Sequence, residues 1–313
     1  MIATITLNPC LDKYITVARL EMNETNRSQQ IRQYAGGKGL DVSRAIHEMG
    51  GETMAYGFAG GNEGNVLTRL LAQEGVPFNF IPIEDETRSC YIINESESAR
   101  QTRISTPGPG VRVEKVNELM QKVWGMRPSP SLLVCGGSVP PSLPQNIYAS
   151  IISQAREHGI KTILDSSGEY FKEGIKAKPY LIKPNVREAE DLLGVTLKSD
   201  GDIVKAVEEM VGMGIAIAII SRGKDGLIAA SQTEVIKAVP PVVAVASTVG
   251  AGDSTVAGLA LKLSAGVTLH EACRLATAMG TAAVLSPGTA LARRADVKRL
   301  LPEIKIENLS PAL

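Results

Sequence analysis

Residues 131–137 read SLLVCGG, and residues 215–223 read IAIAIISRG. Each is an almost unbroken apolar run of strand length that closes on glycine. A strand with one face in water alternates apolar and polar side chains. A run without that alternation suits a parallel strand buried on both faces. Working outward, Ile2–Leu7, Thr53–Phe58, Phe78–Ile83, Ser89–Asn94, Leu132–Cys135, Thr162–Asp165, Leu181–Lys183, Ile215–Ser221 and Leu227–Ala230 read as strands. Helical patterns stand between them: Val42, Ala45, Ile46 and Met49 keep i, i+3, i+4, i+7 spacing, and Ala272, Leu275, Ala276 and Met279 repeat it. Alternating strands and helices predict an α/β fold, a doubly wound and mostly parallel sheet with helices on both faces.

Two segments break this rhythm. Lys13–Tyr34 and Phe78–Thr106 carry strand signals with few helical ones and are rich in Arg, Thr, Ser and Asn. They are expected to form a small β-sheet, discontinuous in sequence, that could cover a site at the strand ends as a lid. A pair of ordinary edge hairpins is the alternative. No internal repeat or low-complexity tract divides the rest, so residues 1–313 read as one domain bearing this addition.

Composition excludes several classes of function. Lys plus Arg and Asp plus Glu balance at 33 each, so no net field exists to hold nucleic acid or an anionic membrane. No stretch approaches the ~20 apolar residues of a membrane span. The opening MIATITLNPC lacks the basic start of a signal peptide. Cys10, Cys90, Cys135 and Cys273 are scattered without a CxxC pair. Neither a disulfide framework nor a metal-binding cysteine motif is therefore expected, and a reducing cytoplasm fits. Only His47, His158 and His270 occur, with no HExxH, which argues against histidine chemistry.

The strongest chemical signal is Thr248-Val249-Gly250-Ala251-Gly252-Asp253-Ser254, which follows the strand-like VVAVAS and opens a small-residue helix. Glycines at a helix entrance let a ligand approach the backbone. The first turn leaves N–H groups without partners at the positive end of the dipole, which makes an anion site. An Asp there can take a proton from a hydroxyl while the amides hold developing phosphoryl charge; the alternative is an N-capping Asp. In Gly36-Gly37-Lys38-Gly39, with Asp41 and Arg44 on the following helix, Lys38 can meet a phosphate as a point charge. The spacing is neither a Walker A loop nor GxGxxG, and a plain turn is the alternative.

In Lys183-Pro184-Asn185-x-x-Glu188, the amide and the carboxylate fall one helical turn apart. They can bind water around Mg²⁺, or simply cap the helix. Asp165 ends a strand, where ligands of open α/β sheets gather. Ser221, Gly223 and Gly226 offer backbone groups to nucleotide phosphates.

Taken in order, TLNPCLD, GGKGLDVSRA, ETRSCYI, TPGPG, CGGSVPPSLP, ILDSSGE, LIKPNVREAE, IISRGKDG and STVGAGDSTVAG resemble the PfkB/ribokinase carbohydrate kinases. The branch most similar is that of 1-phosphofructokinase, tagatose-6-phosphate kinase and the minor 6-phosphofructokinase. The resemblance runs almost to residue 290. It implies a ribokinase-like three-layer α/β/α sandwich with a β-sheet lid, often a homodimer interface. It also implies ATP and Mg²⁺ as reaction partners and a ketohexose phosphate as substrate. By the same resemblance Asp253 is the base, and Gly250, Ala251 and Gly252 form the anion hole. Asp12, Gly37, Lys38 and Asp41 grip sugar hydroxyls and phosphate. Arg88, Arg103, Ser138 and Arg27 lie near the sugar phosphate. Lys183, Asn185, Ser221, Gly223 and Gly226 serve ATP, and Asn185 and Glu188 organise Mg²⁺.

Carbonyls near Ser247 and in the Ser286–Gly288 turn could take K⁺, as in some relatives. The family usually has Asn where this chain has Asp41, and an ionised carboxylate cannot donate hydrogen bonds; Asp41 is expected to face hydroxyls. The residue pair Ala290-Leu291 also lacks the Arg that follows GT in some phosphofructokinases.

Three other readings stand beside this one. A kinase of an unphosphorylated sugar or nucleoside would use the same Asp, although aromatic residues are only 4% of the chain, too few to favour a base-stacking pocket. A sugar-phosphate sensor without catalysis would have no need of Asp253. An NAD-dependent oxidoreductase is disfavoured by the missing GxGxxG.

Overall fold

The computed structural model describes residues 1–98, 100–286, 288 and 291–309. In chain order the first elements are β1 (Ile2–Thr6), β2 (Cys10–Val17), β3 (Gln30–Gly36), α1 (Lys38–Glu48), β4 (Thr53–Ala59), α2 (Gly61–Glu74), β5 (Phe78–Pro82), β6 (Arg88–Glu95) and β7 (Gln101–Ser105). Then follow α3 (Val113–Trp124), β8 (Leu132–Gly136), α4 (Ile147–Glu157), β9 (Lys161–Asp165), α5 (Gly168–Ile175), β10 (Leu181–Ile182), α6 (Val186–Leu193), α7 (Asp200–Gly212) and β11 (Ile217–Ser221). The last are β12 (Leu227–Ala230), β13 (Val235–Val239), α8 (Ala251–Ser264), α9 (Leu269–Ala283), α10 (Arg294–Leu300) and β14 (Lys305–Leu309).

Ten strands form one sheet in the order β14-β13-β12-β11-β10-β9-β8-β1-β4-β5. From β11 to β5 every pairing is parallel, whereas β12, β13 and β14 add on antiparallel. The apolar runs are buried on both faces because alternate residues enter different cores. In β8, Leu133 and Cys135 join the core that includes residues of α3, α4 and α7, while Leu132 and Val134 join that of α1, α8 and α9. The result is three layers. From β1 the chain moves to β4 and β5 on one side and later to β8, β9, β10 and β11 on the other. That reversal opens a crevice beyond the carboxyl ends of these strands, the usual ligand position in such sheets.

A second sheet, β3-β2-β6-β7, stands apart. Its limits differ from those read in the sequence. It begins at Cys10, and Phe78–Pro82 is instead the edge of the large sheet, paired with β4. An edge position tolerates Pro82, which has no ladder donor, and local pattern alone cannot say which sheet an edge strand joins. VVAVAS is no strand: it follows Pro240-Pro241, and Val242 and Val245 are 103% and 61% exposed. The strand read as Leu181–Lys183 stops at Ile182, because Lys183 turns into the crevice. The antiparallel strands β13 and β14 were not anticipated.

Candidate active site

The crevice is a cavity of about 670 Å³. One wall comes from the ends of the parallel strands. Thr6 ends β1 and Asn8 follows it, Gly137 and Ser138 follow β8, Asp165 ends β9, Lys183 and Asn185 follow β10, and Ser221 ends β11. The facing wall is one side of the small sheet. Residues in register on neighbouring strands share a face, as do residues i and i+2 of one strand. Cys10 is in register with Arg88, Asp12 with Cys90, and Cys90 with Ser105. Cys10, Asp12, Arg88, Arg103 and Ser105 all line the cavity.

Helices α1 and α8 aim their first turns into this space. Gly37 precedes α1 with φ 127°, where a Cβ would collide with the Thr6 side chain. Gly250 precedes α8 with φ 80°, and no side chain caps that helix. Asp253 therefore does not act as an N-cap. The first backbone bond of α8 runs from Ser254 N–H to the Gly250 carbonyl at 2.9 Å. The amides of Ala251, Gly252 and Asp253 lie before it, left for an anion.

The charges are layered. Asp165 is 3% exposed, with Lys38 Nζ at 3.0 Å and Lys183 Nζ at 3.7 Å from its Oδ1. Burial pushes the Asp165 carboxyl up, but Lys183 and then Lys38 outweigh it and hold it below the usual range. Burial pulls the Lys38 ammonium down, yet Asp165, Asp253 and Glu188 leave it raised and firmly charged. Among the described residues Asp253 has no such close partner. Burial raises its pKa to about 6; Lys38 opposes this and Asp165 adds to it.

Asp41 also lines the cavity, and burial raises it well above the normal range against the pull of Arg44. Arg44 donates to Asp41 at 2.9 Å, grips both oxygens of Glu74 at 2.7 and 2.8 Å, and reaches the Ala35 carbonyl at 3.0 Å. Asp12 is raised by burial, with relief from the Cys10 thiol and from Arg103.

The other sites read from the sequence are treated unevenly by the structure. Arg88 spends three N–H groups on the carbonyls of Asn8 and Thr106, at 2.9–3.2 Å, so of its five donors two remain for a ligand. Asn185 and Glu188 form a full capping box at 2.9 and 3.0 Å and also line the cavity. Capping and ligand contact are thus compatible, since the Asn185 Nδ2 and the Glu188 Oε1 take no part in the box.

Arg27 is not brought into the cavity: it lies in the exposed segment 21–33. Gly223 and Gly226 are not among the lining residues either. Gly226 serves the fold, because a Cβ there would overlap the Ala238 carbonyl. Ala251 contributes its place in the first turn of α8 without lining the wall. The cation site read at Ser247 and Ser286–Gly288 is partly described: Ala246 N–H and Ser247 N–H both bond the Val284 carbonyl, which draws the two loops together. Residues 287, 289 and 290 lie outside the described residues.

This geometry can be set beside known proteins. Residues 5–295 match the pfkB family carbohydrate kinase profile. The chain belongs to the PfkB family of carbohydrate kinases. A 1-phosphofructokinase of Borreliella burgdorferi is 33% identical over 310 residues, 99% of each chain. A tagatose-6-phosphate kinase of Staphylococcus epidermidis is 34% identical over 283 residues, covering 90% of this chain and 91% of its own. The crystal structure of phosphofructokinase-2 from Escherichia coli in complex with potassium superposes with a TM-score of 0.92 at 33% identity, over 96% of this chain and 98% of that one.

Several cavity residues of this PfkB kinase received no role from the motifs, although five of them stand within quoted motifs: Thr6, Asn8, Cys10, Ser105, Thr248 and Val249. A signal existed for two of them. Cys10 stands two residues from Asp12, and Ser105 two from Arg103, so each shares a strand face with a residue already singled out. Asn8 holds the loops through Nδ2, bonded to the Pro107 carbonyl at 2.8 Å and Ser138 Oγ at 3.2 Å. Its Oδ1 and Thr6 Oγ1 are buried and, among the described residues, without a partner, a position that a ligand hydroxyl would satisfy. Arg44, behind Asp41, was noticed on the helix but not as the partner that compensates its charge.

Two of the scattered cysteines are neighbours in the fold. Cys10 and Cys90, 80 residues apart, come together beside Asp12. Sequence spacing reports metal sites only when the ligands lie on one turn or hairpin, and these lie on separate strands.

Proposed function

We propose that the protein transfers the γ-phosphoryl group of ATP to a hydroxyl of a ketohexose phosphate, yielding a bisphosphate; the candidates are fructose 1-phosphate, tagatose 6-phosphate and fructose 6-phosphate. The observation that carries this reading is a buried carboxylate poised near pH 6, Asp253, at the amide-rich start of α8, sharing one cavity with Lys38, Arg88 and Arg103. A neutral acceptor needs no such cationic set, whereas a phosphate rewards charge-assisted hydrogen bonds.

In this reading the acceptor hydroxyl attacks the γ-phosphorus and gives its proton to Asp253, and ADP leaves. The N–H groups of Gly250, Ala251 and Gly252 hold the charge that builds on the transferred group. Asp12, Gly37 and Asp41 meet sugar hydroxyls together with the unpartnered Asn8 and Thr6 oxygens, and Ser138 stands beside them. Lys183 and Ser221 face the nucleotide. Among the described residues no aromatic side chain lines the cavity, which disfavours a nucleoside acceptor.

Glu188 and Asn185 would hold Mg²⁺ through water, because a free carboxylate oxygen at the cavity wall suits a hard cation. When bound, that ion neutralises phosphate charge. K⁺ would sit between the Ser247 loop and the turn after α9; equal activity in K⁺ and choline buffers would remove it. The four buried thiols fit a reducing cytoplasm.

The test is ADP release with Mg²⁺–ATP against the three ketohexose phosphates, fructose, ribose and adenosine. Turnover with one ketohexose phosphate is expected. Turnover confined to unphosphorylated acceptors would overturn the phosphate role of Lys38, Arg88 and Arg103.

A further inference from the structure

The two cysteines on the cavity face of the small sheet have no part in phosphoryl transfer. With Asp12 opposite Cys90 in register and Cys10 two residues before Asp12, all three side chains point to one side. Their ligand atoms all lie within 4.8 Å of one another, and Cys10 Sγ is 3.2 Å from Asp12 Oδ1. Around a tetrahedral zinc ion, sulfur at about 2.3 Å and oxygen at about 2.0–2.2 Å place neighbouring donors roughly 3.4–3.8 Å apart. Side-chain rotation of about 1 Å or less separates the present arrangement from that geometry. Cys10, Asp12 and Cys90 are 1%, 3% and 0% exposed, yet Cys10 and Asp12 line the cavity. The cluster is therefore dry on one side and has an entry path on the other.

We propose that Cys10, Asp12 and Cys90 form a three-ligand site for one soft divalent cation of the zinc class, with its fourth position open to the cavity, and that a bound ion excludes the sugar phosphate. Two thiolates and a carboxylate suit zinc with three protein ligands and an open site. Hard Mg²⁺ prefers oxygen, so the same set does not attract it. Binding releases the two thiol protons to solvent. The three anionic ligands and the dication leave one net negative charge, beside Arg88 and Arg103, which favour it. Exclusion of the sugar follows because Asp12 cannot serve both ligands. This last step rests on the sugar-binding role proposed for Asp12; the metal site itself does not.

The experiment uses the full-length protein and Co²⁺ as a spectroscopic probe. Thiolate-to-cobalt charge transfer should grow to saturation at one equivalent and vanish on adding one equivalent of Zn²⁺. Cys10→Ser and Cys90→Ser should each weaken binding by at least about 10–100-fold, the loss that removing even an outer partner causes. Absence of the sulfur band, or a band kept in both variants, overturns the site. Should a variant fail to fold, the wild-type titration decides by the presence or absence of that band. In the second arm Zn²⁺, with Mg²⁺–ATP in excess, should raise the KM for the sugar phosphate and leave kcat unchanged. A bound ion that leaves this KM unchanged overturns the exclusion and the role of Asp12 in sugar binding. The ADP-release panel, read without zinc, is untouched by either result.

Discussion

Asp253 joins two properties that pull in opposite directions. Burial lifts its pKa to about 6, which keeps it a competent base at neutral pH and makes its ionised form costly to the fold. A carboxyl raised in the folded state stabilises the protein most when protonated, and that contribution is lost as pH rises through about 6. Asp253→Asn should thus raise the melting temperature at pH 7.5, measured by differential scanning calorimetry, while lowering kcat by roughly 10²–10⁴-fold. A variant with near-normal turnover would remove Asp253 from the chemistry. In the wild type, kcat/KM should fall with a one-proton slope as pH drops below about 6; a rate flat down to pH 5 would exclude this base. The aspartate in its first-turn position was legible from GAGDS, because glycine followed by a helix start is a local pattern. Its shifted pKa was not, because Lys38 and Asp165, which tune it, come from distant parts of the chain.

At the scale of elements, the start of α6 shows one short segment doing two tasks. Asn185 and Glu188 cap the helix reciprocally while lining the cavity. Asn185→Ala should cost about 1 kcal/mol of stability, read from chemical denaturation, and should also raise the KM for Mg²⁺–ATP. Asn185→Ser restores a capping oxygen but loses the reach of the amide. It should recover the stability and leave the KM raised. Recovery of both would reduce Asn185 to a cap. The sequence pattern displayed this box, but two functions compatible with one pattern are separated only by where the free atoms point. The small sheet illustrates the same limit. Its strands were readable, but Phe78–Pro82 joined the other sheet, because pairing partners are chosen by packing remote from the strand itself.

At the scale of the whole molecule, the face of the small sheet turned away from Asp12 leaves Ile31 and Ile104 at 59% and 51% exposure. Register places both on that side, Ile31 opposite Ile15 and Ile104 opposite Tyr91. Exposed apolar side chains on one sheet face suit association, and the resemblance to PfkB kinases implies a homodimer through this sheet. Light scattering should give a dimeric mass for the wild type and a monomeric one for Ile31→Lys with Ile104→Lys. A monomeric wild type would remove the interface.

The sequence by itself determined the layered α/β architecture, since apolar runs of strand length alternating with helical patterns suit strands covered on both faces. It also determined the glycine-led helix starts and, through the ordered set of motifs, the kinase family. Tertiary structure alone decided which charges meet. Asp165 is held between Lys38 and Lys183, Arg44 compensates Asp41, Arg27 stays outside the cavity, and Cys10 and Cys90 converge on Asp12. Each of these depends on strand order and register, quantities set by the packing of elements far apart in the chain, to which a local pattern has no access.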